Sequence, residues 1–307
     1  MNDLEKAIIN TVAYFDVFDY PLTEFEIWQY IFDEAGDERP VSYGQIIDCL
    51  ETGGLMGSQI ECDQGYYFLS GRREIINYRR QRYAYAERKY MKAIRVIKWL
   101  RFFPFVRMVA VCNTLAFNNS RREADIDLFI VTRPGRIWQS RFWVNGFLKI
   151  FKMRPSQEKS QDTICSTFFV DEAHLDLHNL LLNESDIYLK YWIRQLVPIY
   201  DENVYDDFFS ANSWVKKYLP NALMKSLPPR RCVKSVKTAK LFINTISLLF
   251  PEIFFKKYQM KIMPRGLKGL ANRDTRVIVN DHMLKFHDND RREQFLSRWN
   301  HNRQAAL

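Results

Sequence analysis

Ala124-Asp125-Ile126-Asp127-Leu128-Phe129-Ile130-Val131 is an apolar, β-branched run that opens with two carboxylates spaced i, i+2. Successive side chains of a strand point to opposite faces, so Asp125 and Asp127 share one side, while Ile126, Leu128 and Ile130 take the other. Two ionised carboxylates roughly 5 Å apart repel by about 3 kcal/mol at an effective dielectric of about 20. A cation, a basic side chain or a shared proton has to offset that repulsion. A hard divalent ion with oxygen ligands is the usual partner and makes such a strand end a site for phosphate chemistry. A merely solvated strand end carries the same two residues.

The residues just upstream favour the metal reading. Val106-Arg107-Met108-Val109-Ala110-Val111-Cys112 has the short, β-branched composition of a strand. A polar turn into a short helical patch follows, Asn113-Thr114-Leu115-Ala116-Phe117-Asn118-Asn119-Ser120, and then the Asp pair. Amides at a helix start face an anion, and the carboxylates can hold a metal opposite.

Over roughly residues 105–172 the chain resembles the nucleotidyltransferase domain of the DNA polymerase beta superfamily, whose pattern is a strand, Gly-Ser, a short helix, then Asp-x-Asp in a second strand. Asn113-Thr114 stands in the Gly-Ser place, and Asp125-Ile126-Asp127-Leu128 matches the acidic segment. The wider chain is similar to bacterial proteins that join a winged-helix-like start to such a domain and a helical tail. The resemblance implies a magnesium-dependent transfer of a nucleoside monophosphate from a nucleoside triphosphate to an acceptor hydroxyl. Asp125 and Asp127 would be the catalytic metal ligands for Mg²⁺, with Asn113, Thr114, Leu115 and Arg122 at the phosphates. The acceptor stays open between protein, RNA and small molecule.

Two departures bear on activity. Asn tolerates the left-handed backbone that glycine adopts freely, but it brings a side chain. The family's third carboxylate belongs on a later strand, yet Thr163-Ile164-Cys165-Ser166-Thr167-Phe168-Phe169-Val170 contains no acid, and Asp162 and Asp171 only flank it. A catalytically impaired homologue that binds nucleotide as a regulatory or interaction protein is therefore the alternative.

The charge is unevenly placed. Residues 222–307 hold 18 Lys and Arg against 6 Asp and Glu, leaving 27 against 30 for the rest, so the net +9 resides in the tail. That asymmetry suits a polyanionic partner, or a basic lobe closing over a triphosphate; a solvated basic surface would look the same. Five scattered cysteines without a Cys-x-x-Cys point to a reducing, cytoplasmic setting without structural zinc. The first residues show no basic-then-apolar leader.

The expected architecture is α+β and multi-domain. Residues 1–71 read as a winged-helix-like module of three helices and a hairpin, with capping residues at Thr23-Glu26 and Ser42, a glycine stop at Gly53, and a turn at Gly65. Its third helix offers Gln45, Asp48 and Glu51 and nothing basic, which argues against DNA. Residues 72–104 form a linker helix whose tyrosines and basic residues suit packing between neighbours better than tracking nucleic acid. Residues 105–182 form the α/β core, with Arg122, Arg133 and Arg136 as its nearest cations, and residues 183–307 a basic, mostly helical region.

Several smaller patterns have ordinary readings beside functional ones. His174 and His178 have the i, i+4 spacing of a metal pair but lack the accompanying Glu, so an edge or turn is expected. Asp201, Glu202, Asp206 and Asp207 read as a solvated helix start. Trp192, Tyr200 and Trp214 could stack on a base, although core packing explains them too. The apolar run 241–255 is too short for a transmembrane segment, which needs about 20 residues. With Lys256, Lys257 and Lys261 beside it, surface contact with a membrane stays open.

Overall fold

A computed structural model describes residues 1–156, 160–224 and 227–306. The chain begins with α1 (Asp3–Asp16), α2 (Glu24–Gln29) and α3 (Tyr43–Thr52), followed by the hairpin β1 (Ile60–Asp63) and β2 (Tyr66–Leu69). The expected caps form reciprocal boxes: Thr23 with Glu26 opens α2, and Ser42 with Gln45 opens α3. Gln64 and Gly65 both take positive φ between Asp63 and Tyr66, the two-residue turn whose twist matches the strands. Gly53 ends α3, as the glycine stop predicts. Its φ is −72°, and a Cβ there would lie 2.2 Å from the Cys49 carbonyl oxygen, so close approach explains the glycine.

Helix α4 (Ile75–Leu100) runs 26 residues, about 39 Å at 1.5 Å per residue. Basic residues at its start tie it to the N-terminal segment, while Arg88, Arg95 and Lys98 are exposed. Arg72, just before it, pairs with Asp16 and Asp19; Arg79 pairs with Glu26, and Arg82 with Asp19.

The central sheet continues with β3 (Val106–Val111), the short α5 (Asn113–Ala116), β4 (Ile126–Thr132), α6 (Ile137–Ile150) and β5 (Ile164–Asp171). Then come α7 (Ile187–Gln195), β6 (Val197–Asp201), α8 (Tyr205–Ala211), α9 (Lys237–Ser247), α10 (Glu252–Ile262), α11 (Arg265–Leu270), β7 (Val277–Val279), β8 (Met283–Phe286) and α12 (Arg292–Ala306). Strand order is β6-β3-β4-β5-β8-β7. Only β4 and β5 are parallel, and α6 supplies the crossover that a parallel pair requires.

Both faces of this sheet are covered, which is why β4 reads as a continuous apolar run. Phe129, Val131, Phe168 and Val170 enter a core shared with α1, α7 and α12, while Leu128, Ile130, Ile164 and Phe169 enter one shared with α4 and α6. The 1–71 segment is thus fused to one sheet face, not set apart from it.

The sheet also draws on the C-terminal region. It does not close within 105–182: three of its six strands come from the region expected to be helical. Pro198 sits in β6, at the sheet edge, where a missing N–H is tolerated.

Candidate functional site

Strand β3 delivers the chain to Asn113, which has φ +56°, the left-handed conformation that its Gly-like place requires. Its side chain is fully used. Oδ1 accepts from Tyr188 Oη at 3.1 Å and Trp192 Nε1 at 2.9 Å, both on α7, which turns the amide towards the Asp127 carboxylate. Asp127 opens β4, directly opposite Cys165 of β5 in the parallel register. Asp125, Asp127 and Cys165 bring one donor atom each within 4.8 Å of one another.

The pair sits on the floor of a cleft of about 310 Å³. Burial, and next the neighbouring Asp125 charge, push the Asp127 carboxyl up to about 7; hydrogen bonds from Asn113 and Cys165 oppose the rise. Asp125 is also raised, chiefly by burial, with Lys89 opposing. Lys89 rises from α4 beneath the turn, fully buried, donating to the carbonyls of Arg122 (3.1 Å) and Ala124 (2.6 Å) and pairing with Asp162 at 2.6 Å.

The rest of the cleft comes from far along the chain. Phe18, Tyr188 and Phe295 form an aromatic wall, with Phe295 against Phe18 (5.1 Å between centroids) and Tyr188 (5.2 Å). Lys285, Arg291 and Arg292 line the same cleft, beside His287 and Asp290. Burial lowers Lys285 to about 8. Burial, and then the Lys285 charge, lower His287 to about 4, so its ring is neutral at neutral pH. His287 Nε2 lies 3.4 Å from Thr167 Oγ1, and its buried Nδ1 has no partner. None of these C-terminal residues carries a motif; only the tail's charge excess pointed towards them.

Of the residues expected at the site, Asp125, Asp127, Asn113 and Thr114 all line the cleft. Leu115 does not: its side chain is buried in the α4–α6 core and its carbonyl accepts from Tyr90. Arg122 is exposed and meets Lys89 only through its carbonyl. Among the stacking candidates, Trp192 lies at the cleft, whereas Tyr200 faces Lys240 and Glu202 and Trp214 bonds Asp176.

No carboxylate of β5 faces the pair. Asp171 proves to be its last residue, six positions or about 20 Å from Cys165. Asp290 does line the cleft, but both its oxygens are held by Arg292.

His174 and His178 do not form a pair. His178 packs edge-on against Trp214, while His174 stacks with the distant His282 at 3.8 Å. Buried Asp171 accepts from both, at 2.6 and 3.1 Å, and from the Ala173 amide. Those hydrogen bonds already satisfy the carboxylate.

Fold and site together define an α+β protein with an acid-floored cleft walled by aromatics and rimmed by cations. Comparison with family models, with curated proteins and with solved structures gives no match to this chain.

Proposed function

We propose that this protein is a Mg²⁺-dependent nucleotidyltransferase of polymerase-beta type with a winged-helix-like start. The observation that carries the reading is the Asp125–Asp127 pair, desolvated on the floor of a cleft that also offers an aromatic wall and cations. Two adjacent carboxylates in a half-buried site are unfavourable unless protonated or neutralised, and hard oxygen donors suit Mg²⁺. When bound, the ion would offset their repulsion and neutralise charge on the transferring phosphoryl group.

Each group of the chain then has a task. Asp125 and Asp127 hold the ion. Thr114 and the backbone around it hold phosphate oxygens, with Lys285 and Arg291 on the opposite rim. Phe295 and Tyr188 offer faces for a base. The acceptor oxygen attacks the α-phosphorus, its bond to phosphorus forming as the bridge to pyrophosphate breaks. His287, the neutral imidazole in the cleft lining, is the group placed to take the acceptor's proton where the third carboxylate is missing.

Calorimetric titration of ATP, GTP, CTP and UTP with and without Mg²⁺ tests the reading. Metal-dependent binding that disappears in Asp125→Asn/Asp127→Asn supports it; binding of no nucleotide by the wild type would sink it. Because Asp127 must lose its proton to ligate, Mg²⁺ affinity should rise about tenfold per pH unit below 7 and level off above. A flat profile from pH 5.5 to 8 would remove Asp127 from the ligand set.

Cys165 opposite Asp127, with no carboxylate on that strand facing the pair, favours the second reading, a nucleotide-binding protein without turnover. His287→Gln separates the two. In a transferase it lowers kcat on the order of 100-fold with nucleotide affinity unchanged. In a mere binder there is no pyrophosphate release to lower.

A further inference from the structure

Helix α9 is amphipathic the wrong way round, and α10, which packs Phe255 inward, extends its exposed apolar side. A helix packed on a globular core turns its apolar stripe inward. On α9 the inward residues are polar: Lys240, Asn244 and Ser247 are buried. Lys240 donates to the Val106 carbonyl and to Tyr200 Oη, Asn244 Oδ1 accepts from the Phe105 amide at 2.9 Å, and Gln139 donates to the Ser247 carbonyl at 3.0 Å. On α10 the buried residue is Gln259, and Glu252 accepts from the first amides of α6.

The outward side is apolar. Leu241 and Phe242 are 66% and 67% exposed, Leu249 at the bend is 78% exposed and Phe254 is 66% exposed. Leu248, Phe250, Ile253 and Ile262 continue the same exposed surface. Contiguous apolar surface of this kind marks a binding face.

We propose that the α9–α10 hairpin is a membrane-surface anchor that inserts its apolar face into the headgroup region of an anionic bilayer. Charge selects this occupant. Residues 237–270 hold seven Lys and Arg, with Glu252 as the sole acid, and Glu252 is turned inward as a cap. Lys257, Lys261, Arg265 and Lys268 are exposed beside the apolar face. A second copy of this chain would bring the same positive charge against itself, whereas anionic headgroups neutralise it while the acyl boundary takes the apolar side chains.

The hairpin lies on the membrane and does not cross it. Among the described residues no single helix is long and apolar enough to span; α9 and α10 reach that length and apolarity only together, and they are bent by 80° at their junction. The polar inward face keeps them tied to the body of the protein. The anchor holds the acid-floored cleft near a lipid surface, whatever reaction that cleft performs.

Flotation of the full chain with vesicles of phosphatidylcholine, alone or mixed with phosphatidylglycerol, tests this. The protein should float with the mixed vesicles and remain below with the neutral ones. Leu249→Asp/Phe254→Asp, at exposed positions, should weaken the association by at least tenfold with an unchanged circular dichroism spectrum. Each of Lys257→Gln and Lys261→Gln should weaken it about fivefold. Failure of the wild type to float with anionic vesicles would overturn the proposal. So would a wild-type dimer in sedimentation that Leu249→Asp/Phe254→Asp disperses, since the face would then belong to a second copy.

Discussion

Asp127→Asn should stabilise the protein in the absence of metal while removing its metal-dependent nucleotide binding. The carboxyl titrates near 7 in the folded protein, against about 3.9 in an unfolded chain. Between those values the native state binds the extra proton, so stability falls as pH rises through the window. The penalty is absent below pH 4 and complete above about pH 7. Asn keeps the shape and carries no charge, although it changes the hydrogen bonding with Asn113. The net gain should be on the order of 2 kcal/mol at pH 8, or roughly 3–6 °C in Tm, and near zero at pH 4. Saturating Mg²⁺ and nucleotide should reverse the order, because a ligand that binds only the native state stabilises the wild type. Thermal unfolding of both proteins at pH 4 and pH 8, with and without ligand, reads all four cases. A variant less stable than wild type at pH 8 without metal would mean that the pair is a satisfied structural feature and not a poised ligand set.

How much of this was legible follows from how local each signal is. The Asp pair, its strand and the left-handed Asn113 are encoded within twenty residues, and the sequence pattern singled out all three. Thr23 with Glu26 and Ser42 with Gln45 are likewise three residues apart, and both boxes form. What escaped depends on strand order. Lys285, His287 and Asp290 reach the cleft because β8 pairs with β5, and nothing in residues 283–286 announces that partner. Cys165 opposite Asp127 is a matter of register, which one residue of slip would have reversed. Arg122 misled because nearness in sequence was taken for nearness in space: its turn is held to Lys89 through backbone, and its side chain points to solvent. His174 likewise finds its stacking partner, His282, 108 positions away.

Arg292→Met should cost about 3–5 kcal/mol and loosen the cleft from its far side. Arg292 is buried, and its guanidinium is fully engaged: Nη1 donates to the Leu180 carbonyl at 2.7 Å and to Asp186 at 2.8 Å, Nη2 to Thr275 at 2.7 Å, and Nε to Asp290 at 2.9 Å. Asp186 is equally buried and caps α7 through the Leu189 amide. Removing the cation leaves that carboxylate with backbone donors alone, and an uncompensated buried charge is the expensive half of a broken pair. The damage should travel along α7, which carries Tyr188 and Trp192, the two donors that fix Asn113 against Asp127. Nucleotide affinity should therefore fall together with stability. Lysine should not rescue, because one ammonium cannot reproduce a planar fork that meets four partners in different directions. Asp186→Asn combined with Arg292→Met removes the stranded charge and should recover at least half of the lost stability in urea unfolding. A single-variant loss below about 1 kcal/mol would show that the C-terminal arm is only lightly attached. The tail's charge excess would then find its explanation at the α9–α10 face instead.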